Sequence, residues 1–354
     1  MNNLIVIAGA NSIHTRRWVN AISSFYKIHL ITRYAPLSGY DENVTIYDVS
    51  ERSLLNVILL IRRLSKTLSE AKLHVYRATF DLLLCRLACV EVDFVSVWGA
   101  DVFAFPDKSP LHRYLVVSNL KSTHYINSTS NVMRVRVDSL LKGAGAEKVT
   151  VIPFGIATSK FRPIQTPKSN KFVIGTVKRL EDRYGIDTLI KAFSQFSIGK
   201  SDVELKIYGE GPSVRALTDL TNKLSLSDIV SFCGYVDNES IPNVLNDFDV
   251  FCAFSRDDSE SFGVAILEAC SCEKPVIVSD VSGFKEVVIH EETGYIVERE
   301  DIESIVNYMQ CLYEDQSLRE KFGIAGRKHV LDNYQWDECV DRQITQYNNV
   351  FNCK

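Results

Sequence analysis

Short apolar runs alternate along this chain with stretches of helical spacing, and the alternation continues on both sides of one proline-rich break. Residues 4–8, 27–32, 44–49, 94–98, 125–128 and 148–152 read as strands, while 53–68 and 80–88 show helical spacing, with the basic residues Arg62, Arg63, Lys66, Arg77 and Arg86 interleaved. Strand and helix in turn predict a parallel, doubly wound sheet, because parallel neighbours need a crossover and a helix is the usual one. The segment 153–167 holds three prolines and few helix formers, so a domain boundary is expected there. A second series starts at 172–176. It runs through 187–196, 204–208, 213–224, 230–233, 241–247, 250–252 and 276–279. Helical patterns at 302–313 and 318–333 follow, and a last helix runs from Trp336 to about Phe351. At 354 residues, two domains are the natural division.

Hydrophobic residues make up 46% and charged residues 24%, values of a soluble globular protein. The longest apolar stretch, 54–61, falls far short of the 18 or so residues needed to span a bilayer. The opening MNNLIVIAGA lacks a basic leader and reads as a first strand, so a cytoplasmic protein is expected. Nine cysteines without a C-x-x-C pattern suggest buried free thiols in a reducing compartment, with no disulfide or zinc. The net charge of −4 conceals an asymmetry. Residues 1–160 carry 19 Lys and Arg against 12 Asp and Glu, a net of +7; the remainder carries 21 against 32, a net of −11. A basic first half suits an anionic partner, either a lipid-linked acceptor or membrane headgroups, and no nucleic acid is implied.

The most chemically loaded segment is 258–279, DSESFGVAILEACSCEKPVIVS, in which Glu260 and Glu268 are separated by seven residues. Ser261 is the expected N-cap of a buried helix carrying Val264, Ile266, Leu267 and Ala269. The N–H groups of Phe262, Gly263 and Val264 would then lack intrahelical partners and stand at the positive end of the helix dipole, an anion site. Carboxylates on both sides of an anion site suit a ligand with hydroxyls at its ends and phosphates in its middle. A nucleotide-sugar is such a ligand.

This segment resembles the E-x7-E signature of family 4 glycosyltransferases, bacterial polysaccharide-type, and the following 274–297 resembles that family's strand, glycine loop and TG turn. The resemblance covers nearly the whole chain. It implies the α/β GT-B architecture, two facing Rossmann-like domains with parallel doubly wound sheets. An N-terminal acceptor-binding domain would span 1–157, with a C-terminal helix at 338–354 packing back on it, and a nucleotide-sugar domain would span 158–337. Glu268 would bind the nucleotide ribose and Glu260 the donor sugar's hydroxyls.

Other motifs follow from the same resemblance. Gly9 opens GANSIHTRRW, where a small turn permits close backbone approach to the ligand; the segment lacks G-x-G-x-x-G, which argues against a dehydrogenase. SIHTRRW is similar to a recurrent opening of bacterial members, with His14 expected to line the cleft. Residues 97–103, VWGADVF, resemble the family's H-G-x-D or W-G-S-D loop; Trp98 stands where many relatives place histidine, and Asp101 would bond sugar hydroxyls or the acceptor. In GTVKRLEDRYG, at 175–185, the family places an arginine and a lysine on the donor diphosphate. Arg179 matches the arginine, Tyr184 takes the lysine's place, and Lys178 and Arg183 keep the spacing one position earlier. Arg183 is expected to supply the second cation, with either Lys178 or Arg179 as the first. Gly209 and Glu210 belong to YGEGP, similar to a turn beside the nucleotide base, and 232–236 would frame the base pocket.

The function implied is a metal-independent retaining transfer of a hexosyl or N-acetylhexosaminyl group from a nucleotide-sugar, a UDP-sugar above all, to a hydroxyl of a glycan or lipid-linked acceptor. No cofactor is expected. No far-face nucleophile of the kind retaining hydrolases use is evident. Same-face attack is therefore preferred, with the donor phosphate taking the acceptor's proton. A role in lipopolysaccharide or other surface-polysaccharide synthesis, at the inner face of the membrane, fits this style of sequence. The alternatives are a phosphorylase or epimerase on the same scaffold, or a non-catalytic sugar-nucleotide-binding subunit.

Overall fold

In the computed structural model, which describes residues 1–68, 70–165, 170–258 and 260–352, the first seven strands are β1 (Asn3–Ile7), β2 (Lys27–Thr32), β3 (Val44–Asp48), β4 (Lys72–Tyr76), β5 (Val92–Val97), β6 (Thr123–Ser128) and β7 (Val149–Val151). They pair in parallel in the order β3-β2-β1-β4-β5-β6-β7. Five helices are the crossovers: α1 (Ile13–Ser23), α2 (Leu54–Thr67), α3 (Phe80–Leu87), α4 (Pro110–Lys121) and α5 (Asn131–Leu141). Sheet and helices enclose a core in which Ile5, Ile61, Val75, Leu82, Val95 and Ile126 are essentially inaccessible.

The second series repeats the plan. Strands β8 (Phe172–Val177), β9 (Val203–Tyr208), β10 (Val230–Gly234), β11 (Val250–Ala253), β12 (Val276–Ser279) and β13 (Gly294–Val297) form a parallel sheet in the order β10-β9-β8-β11-β12-β13. Helices α6 (Ile186–Phe196), α7 (Val214–Lys223), α8 (Ile241–Asn246), α9 (Val264–Ser271), α10 (Ser282–Val287), α11 (Ile302–Glu314) and α12 (Gln316–Asn333) accompany it. In both sheets the strand order reverses beside the first strand, and such switch points gather ligands at the carboxyl ends of the strands.

The chain divides into two units, Met1–Gly155 with the C-terminal segment from Asp337, and Ile156–Trp336. The expected break at 153–167 and the expected last helix at 338–354 each run partly outside the described residues. Helix α13 (Trp336–Asn352) docks on the first sheet through polar contacts. His74 Nδ1 and Tyr347 Oη stand 2.5 Å apart, His74 Nε2 and Ser96 Oγ 2.8 Å, and Asn127 Nδ2 donates to Gln343 Oε1 at 2.7 Å. All five side chains are buried and each takes part in a hydrogen bond, though Asn127 Oδ1 has no partner among the described residues. β4, KLHVY, which the apolar pattern did not single out, carries the buried His74 of that network at its centre.

Of the eight described cysteines, none is in a disulfide. Cys85, Cys252, Cys270, Cys272 and Cys339 are buried, but Cys89, Cys233 and Cys311 are exposed, which corrects the expectation of uniformly buried thiols; Cys353 lies outside the described residues. Cys89 lies just beyond α3, in a left-handed turn at φ 54°. Among the described residues, no helix is long and apolar enough to cross a membrane.

Candidate active site

In the second unit the site is built on the carboxyl ends of β8, β9 and β11. Val177 ends β8, and Lys178 N donates to Tyr208 O at 3.0 Å, so the cationic segment leaves the sheet beside the end of β9. Gly209 takes φ +136°, and a Cβ there would stand 1.9 Å from the Lys178 carbonyl oxygen. Gly211 packs as closely against Leu180 O. Glycine is required at both positions because two loops touch backbone to backbone. Together they wall a cavity of about 560 Å³ lined by Lys178, Arg179, Tyr208, Gly209, Glu210 and Tyr235, among others.

Lys178 Nζ donates to Glu260 Oε2 at 2.6 Å, with both side chains mostly buried. Arg179 and Arg183 both pair with Glu181, the Arg183 Nε contact measuring 3.0 Å. Tyr184 lies under two cations, Lys178 Nζ at 4.4 Å and Arg183 Cζ at 4.6 Å from its ring centroid. Burial raises the Tyr184 phenol, and the Glu260 charge adds to the shift, so it stays neutral. Tyrosine in the position of the family's lysine therefore supplies a face for two cations instead of a third charge.

Arg256 is a residue that motif reading missed. Its guanidinium donates to Asp182 at 2.8 Å, to both Asp187 oxygens at 2.8 Å and to Glu300 at 3.0 Å, and its N–H donates to Arg183 O at 2.8 Å. The turn carrying Arg183 is thereby fastened to the loop leading to Glu260. Asp258 in that loop accepts from Ser282 N at 2.7 Å and from Arg299 at 2.9 Å. Only the density of Asp and Arg around 256–258 hinted at this.

The helix start differs from expectation. Ser261 is buried and does not cap α9; Gly263, at φ +86°, occupies the cap position with no side-chain bond. Phe262 turns inward against Tyr334, ring centroids 5.7 Å apart, and Val264 is the first helical residue. The first residues of α10 press on this segment so closely that a Cβ at Gly283 would stand 2.1 Å from Glu260 O. Glu268 sits one turn into α9, half-buried, and is not among the residues lining the 560 Å³ cavity.

The first unit holds its own cavity, about 480 Å³, at the ends of β1, β4 and β5. His14 lines it, stacked on Phe154 at 4.7 Å and edge-on to Trp98 at 6.4 Å. Burial, with Arg17 and Arg77 adding to it, holds the His14 imidazole down at about 4, so it is neutral near pH 7. Gly9 follows β1; a Cβ there would meet the Asn11 side chain at 3.1 Å and the Tyr34 ring at 3.4 Å.

Asp101 also lines the cavity but spends its carboxylate on backbone. Oδ1 accepts from Trp98 N and Gly99 N, both at 3.0 Å, and Oδ2 from Ala78 N at 2.9 Å. Burial pushes its pKa up, and the N–H donors of Ala78 and Trp98 pull against that. Its evident task is to tie the loops after β4 and β5 together rather than to cap a helix. The tie has a consequence at Arg77, whose φ of +80° is uncommon for a non-glycine residue. Arg77 N donates to Ser96 O at 2.7 Å, and Asp101 grips the next amide, so the left-handed turn is held from both sides. Its guanidinium stands 6.0 Å from the Trp98 ring centroid. In the sequence Arg77 stands out only as one of the basic residues interleaved with the helical segments, and no motif assigns it a role. Among the described residues, no cluster of three or more His, Cys, Asp or Glu is placed to hold a metal ion.

Comparison with known proteins places these features. A family model described as "Glycosyl transferases group 1" matches residues 158–329, and one described as "Glycosyl transferase 4-like" matches 4–130. A GDP-mannose-dependent alpha-(1-6)-phosphatidylinositol monomannoside mannosyltransferase of Mycolicibacterium smegmatis is 29% identical over 199 residues, 52% of each chain. The chain spans about half the length of the curated relatives it matches. A solved sucrose-phosphate synthase from Thermosynechococcus elongatus superposes with TM-score 0.83 at 18% identity over the full length of both chains. Anabaena HepE in complex with UDP superposes with TM-score 0.79 at 17% identity, covering 99% of this chain and 100% of that one. The fold is that of the GT-B class, two Rossmann-like units with parallel sheets. The chain belongs to the family 4 glycosyltransferases.

Proposed function

We propose that this chain transfers a hexosyl or N-acetylhexosaminyl group from a nucleotide-sugar to a hydroxyl of a glycan or lipid-linked acceptor, with retention and without a metal. The observation that carries the reading is the Lys178–Glu260 contact beside a 560 Å³ cavity, with Arg179 and Arg183 held next to it by Glu181. A departing nucleoside diphosphate develops negative charge, and cations already fixed in place stabilise it without reorganisation. Lys178 supports the role of first cation through its contact with Glu260, while Arg183 on its Arg256-fastened turn supplies the second. Glu260, oriented by Lys178, is positioned to take hydroxyls of the donor sugar; Glu268 takes the ribose. The retaining step proceeds on one face, with the donor phosphate accepting the acceptor's proton.

Two names bear on the donor base in different directions. The mycobacterial relative is named for GDP-mannose, and the Anabaena structure holds UDP. UDP is retained as the first candidate. Peripheral association with an anionic membrane is part of the same proposal. Along α2, Leu55, Leu59, Arg62 and Lys66 recur at helical spacing on the exposed face, with Arg63 beside them. Screening UDP-, GDP- and ADP-sugars by thermal shift tests the donor reading, since a ligand that binds only the folded chain raises the melting temperature. Transfer to an acceptor by the stabilising donor supports it; no shift from any of them contradicts it.

A further inference from the structure

The cavity of the first unit is positively charged and aromatic at once. Its walls include Trp98, Phe105 and Phe154, hydroxyls of Ser12 and Thr79, and the two cations Arg77 and Lys108. Both cations are exposed, and among the described residues neither has a carboxylate within 4.0 Å; Arg77 lies near the Trp98 ring and Lys108 near the Phe105 ring, and Asp81 and Asp101 act on Arg77 only from beyond that distance. The one acidic side chain of the cavity, Asp101, points its oxygens at three backbone N–H groups. The neighbouring cations Arg33 and Arg136 are paired, with Asp81 and Asp107. Arg77 is moreover held in a left-handed turn by Asp101 and Ser96, an arrangement that fixes where its guanidinium leaves the backbone.

We propose that this cavity is a subsite for a phosphate group carried by the acceptor, bound by Arg77 and Lys108, with the acceptor's sugar or polyol portion lying against Trp98. The proposal rests on the glycosyl-transfer reading above and names the chemical class of acceptor. Two cations free of a salt bridge match a phosphate monoester or diester, and guanidinium binds such a group through paired N–H donors. His14, neutral near pH 7, adds a hydrogen-bonding group rather than a third charge. Asp101 acts as a positioning residue for Arg77.

The test uses the full chain, titrated by calorimetry with glucose 6-phosphate, glucose and inorganic phosphate, each with and without saturating UDP. The expected result is that glucose 6-phosphate binds with UDP present, more tightly than either glucose or inorganic phosphate. Arg77→Gln and Lys108→Gln should each weaken it about ten-fold or more, the size of one charge-assisted contact, while Lys121→Gln, at the exposed end of α4, leaves it unchanged. Affinity indifferent to both Arg77→Gln and Lys108→Gln would overturn the proposal, as would displacement by UDP. Equal binding of inorganic phosphate would assign the cavity to a free anion and overturn the acceptor claim. Binding of UDP is read separately in the same experiment, so its failure strikes the donor reading and leaves the sugar-phosphate result to be judged by itself.

Discussion

Lys178 and Glu260, 82 positions apart in sequence, meet at 2.6 Å where the loops after β8 and β11 come together. Neither residue has the other as its only neighbour of consequence: Lys178 also lies over Tyr184, and the backbone of Glu260 is pressed against Gly283. The pair therefore couples the cationic loop to the start of α9, which is the connection the proposed chemistry requires.

Glu260→Gln should lower kcat/KM by about two to three orders of magnitude, as expected for loss of one preorganised polar contact at a reacting group. Nucleotide affinity should change little, because the proposed ligand of Glu260 is the sugar. Steady-state kinetics beside UDP titration separates the two, and a variant with full activity would remove Glu260 from the mechanism.

Gly283→Ala should destabilise the protein by roughly 1–3 kcal/mol, the usual cost of forcing an atom into a packed site. Its Cβ would stand 2.1 Å from Glu260 O and 2.7 Å from Phe262 N, both backbone atoms that cannot swing aside. Denaturant unfolding measures this directly. Wild-type stability would show that α10 and the Glu260 segment are less tightly packed than described.

Acid should destabilise the first unit. Burial holds His14 at about 4 and His74 at about 3, against 6.5 for an ordinary histidine. The unfolded chain then takes up protons more readily, so the stability from neutral imidazoles is full above about pH 6.5 and falls as the pH drops toward 4 and then 3. Each group contributes at most about 1.4 kcal/mol per pH unit across its window. His14→Gln should flatten the upper part of this limb in a series of unfolding curves between pH 7 and 4; an unchanged slope would contradict the burial assigned to it.

Reversing Arg62 and Arg63 to Glu should reduce binding to vesicles containing anionic lipid, by about 1 kcal/mol for each charge removed near the surface. Sedimentation with neutral and anionic vesicles is the check. Equal binding before and after would remove the α2 face from the membrane proposal.

Much of the fold was legible because parallel strands buried on both faces are apolar nearly throughout, and runs such as those of β1, β8 and β12 announce themselves. β4 was not; His74 occupies its centre and is satisfied by Tyr347 from the far end of the chain. Helices α4 and α5 were also missed; their Asn119, Thr123 and Ser130 neighbourhoods are buried but polar, and mask the apolar period. At the site, loops named from motifs did come together, as with Lys178 and Glu260. What spacing could not show was conformation. Ser261 looks like a cap, yet the left-handed residue is Gly263; Asp101 looks like a ligand to sugar, yet its oxygens hold amides. Arg77 and Arg256 matter through a backbone angle and four partners, neither of which is written in adjacent residues.

Calorimetric titration of UDP and GDP into the full chain, the Glu268→Ala variant and the Arg183→Gln variant bears most directly on whether the second unit is a nucleotide-sugar site. One nucleotide should bind the unaltered chain at a single site, and each substitution should weaken it about ten-fold or more, through a lost ribose or diphosphate contact. Absence of binding, or equal affinity in all three proteins, would contradict the account.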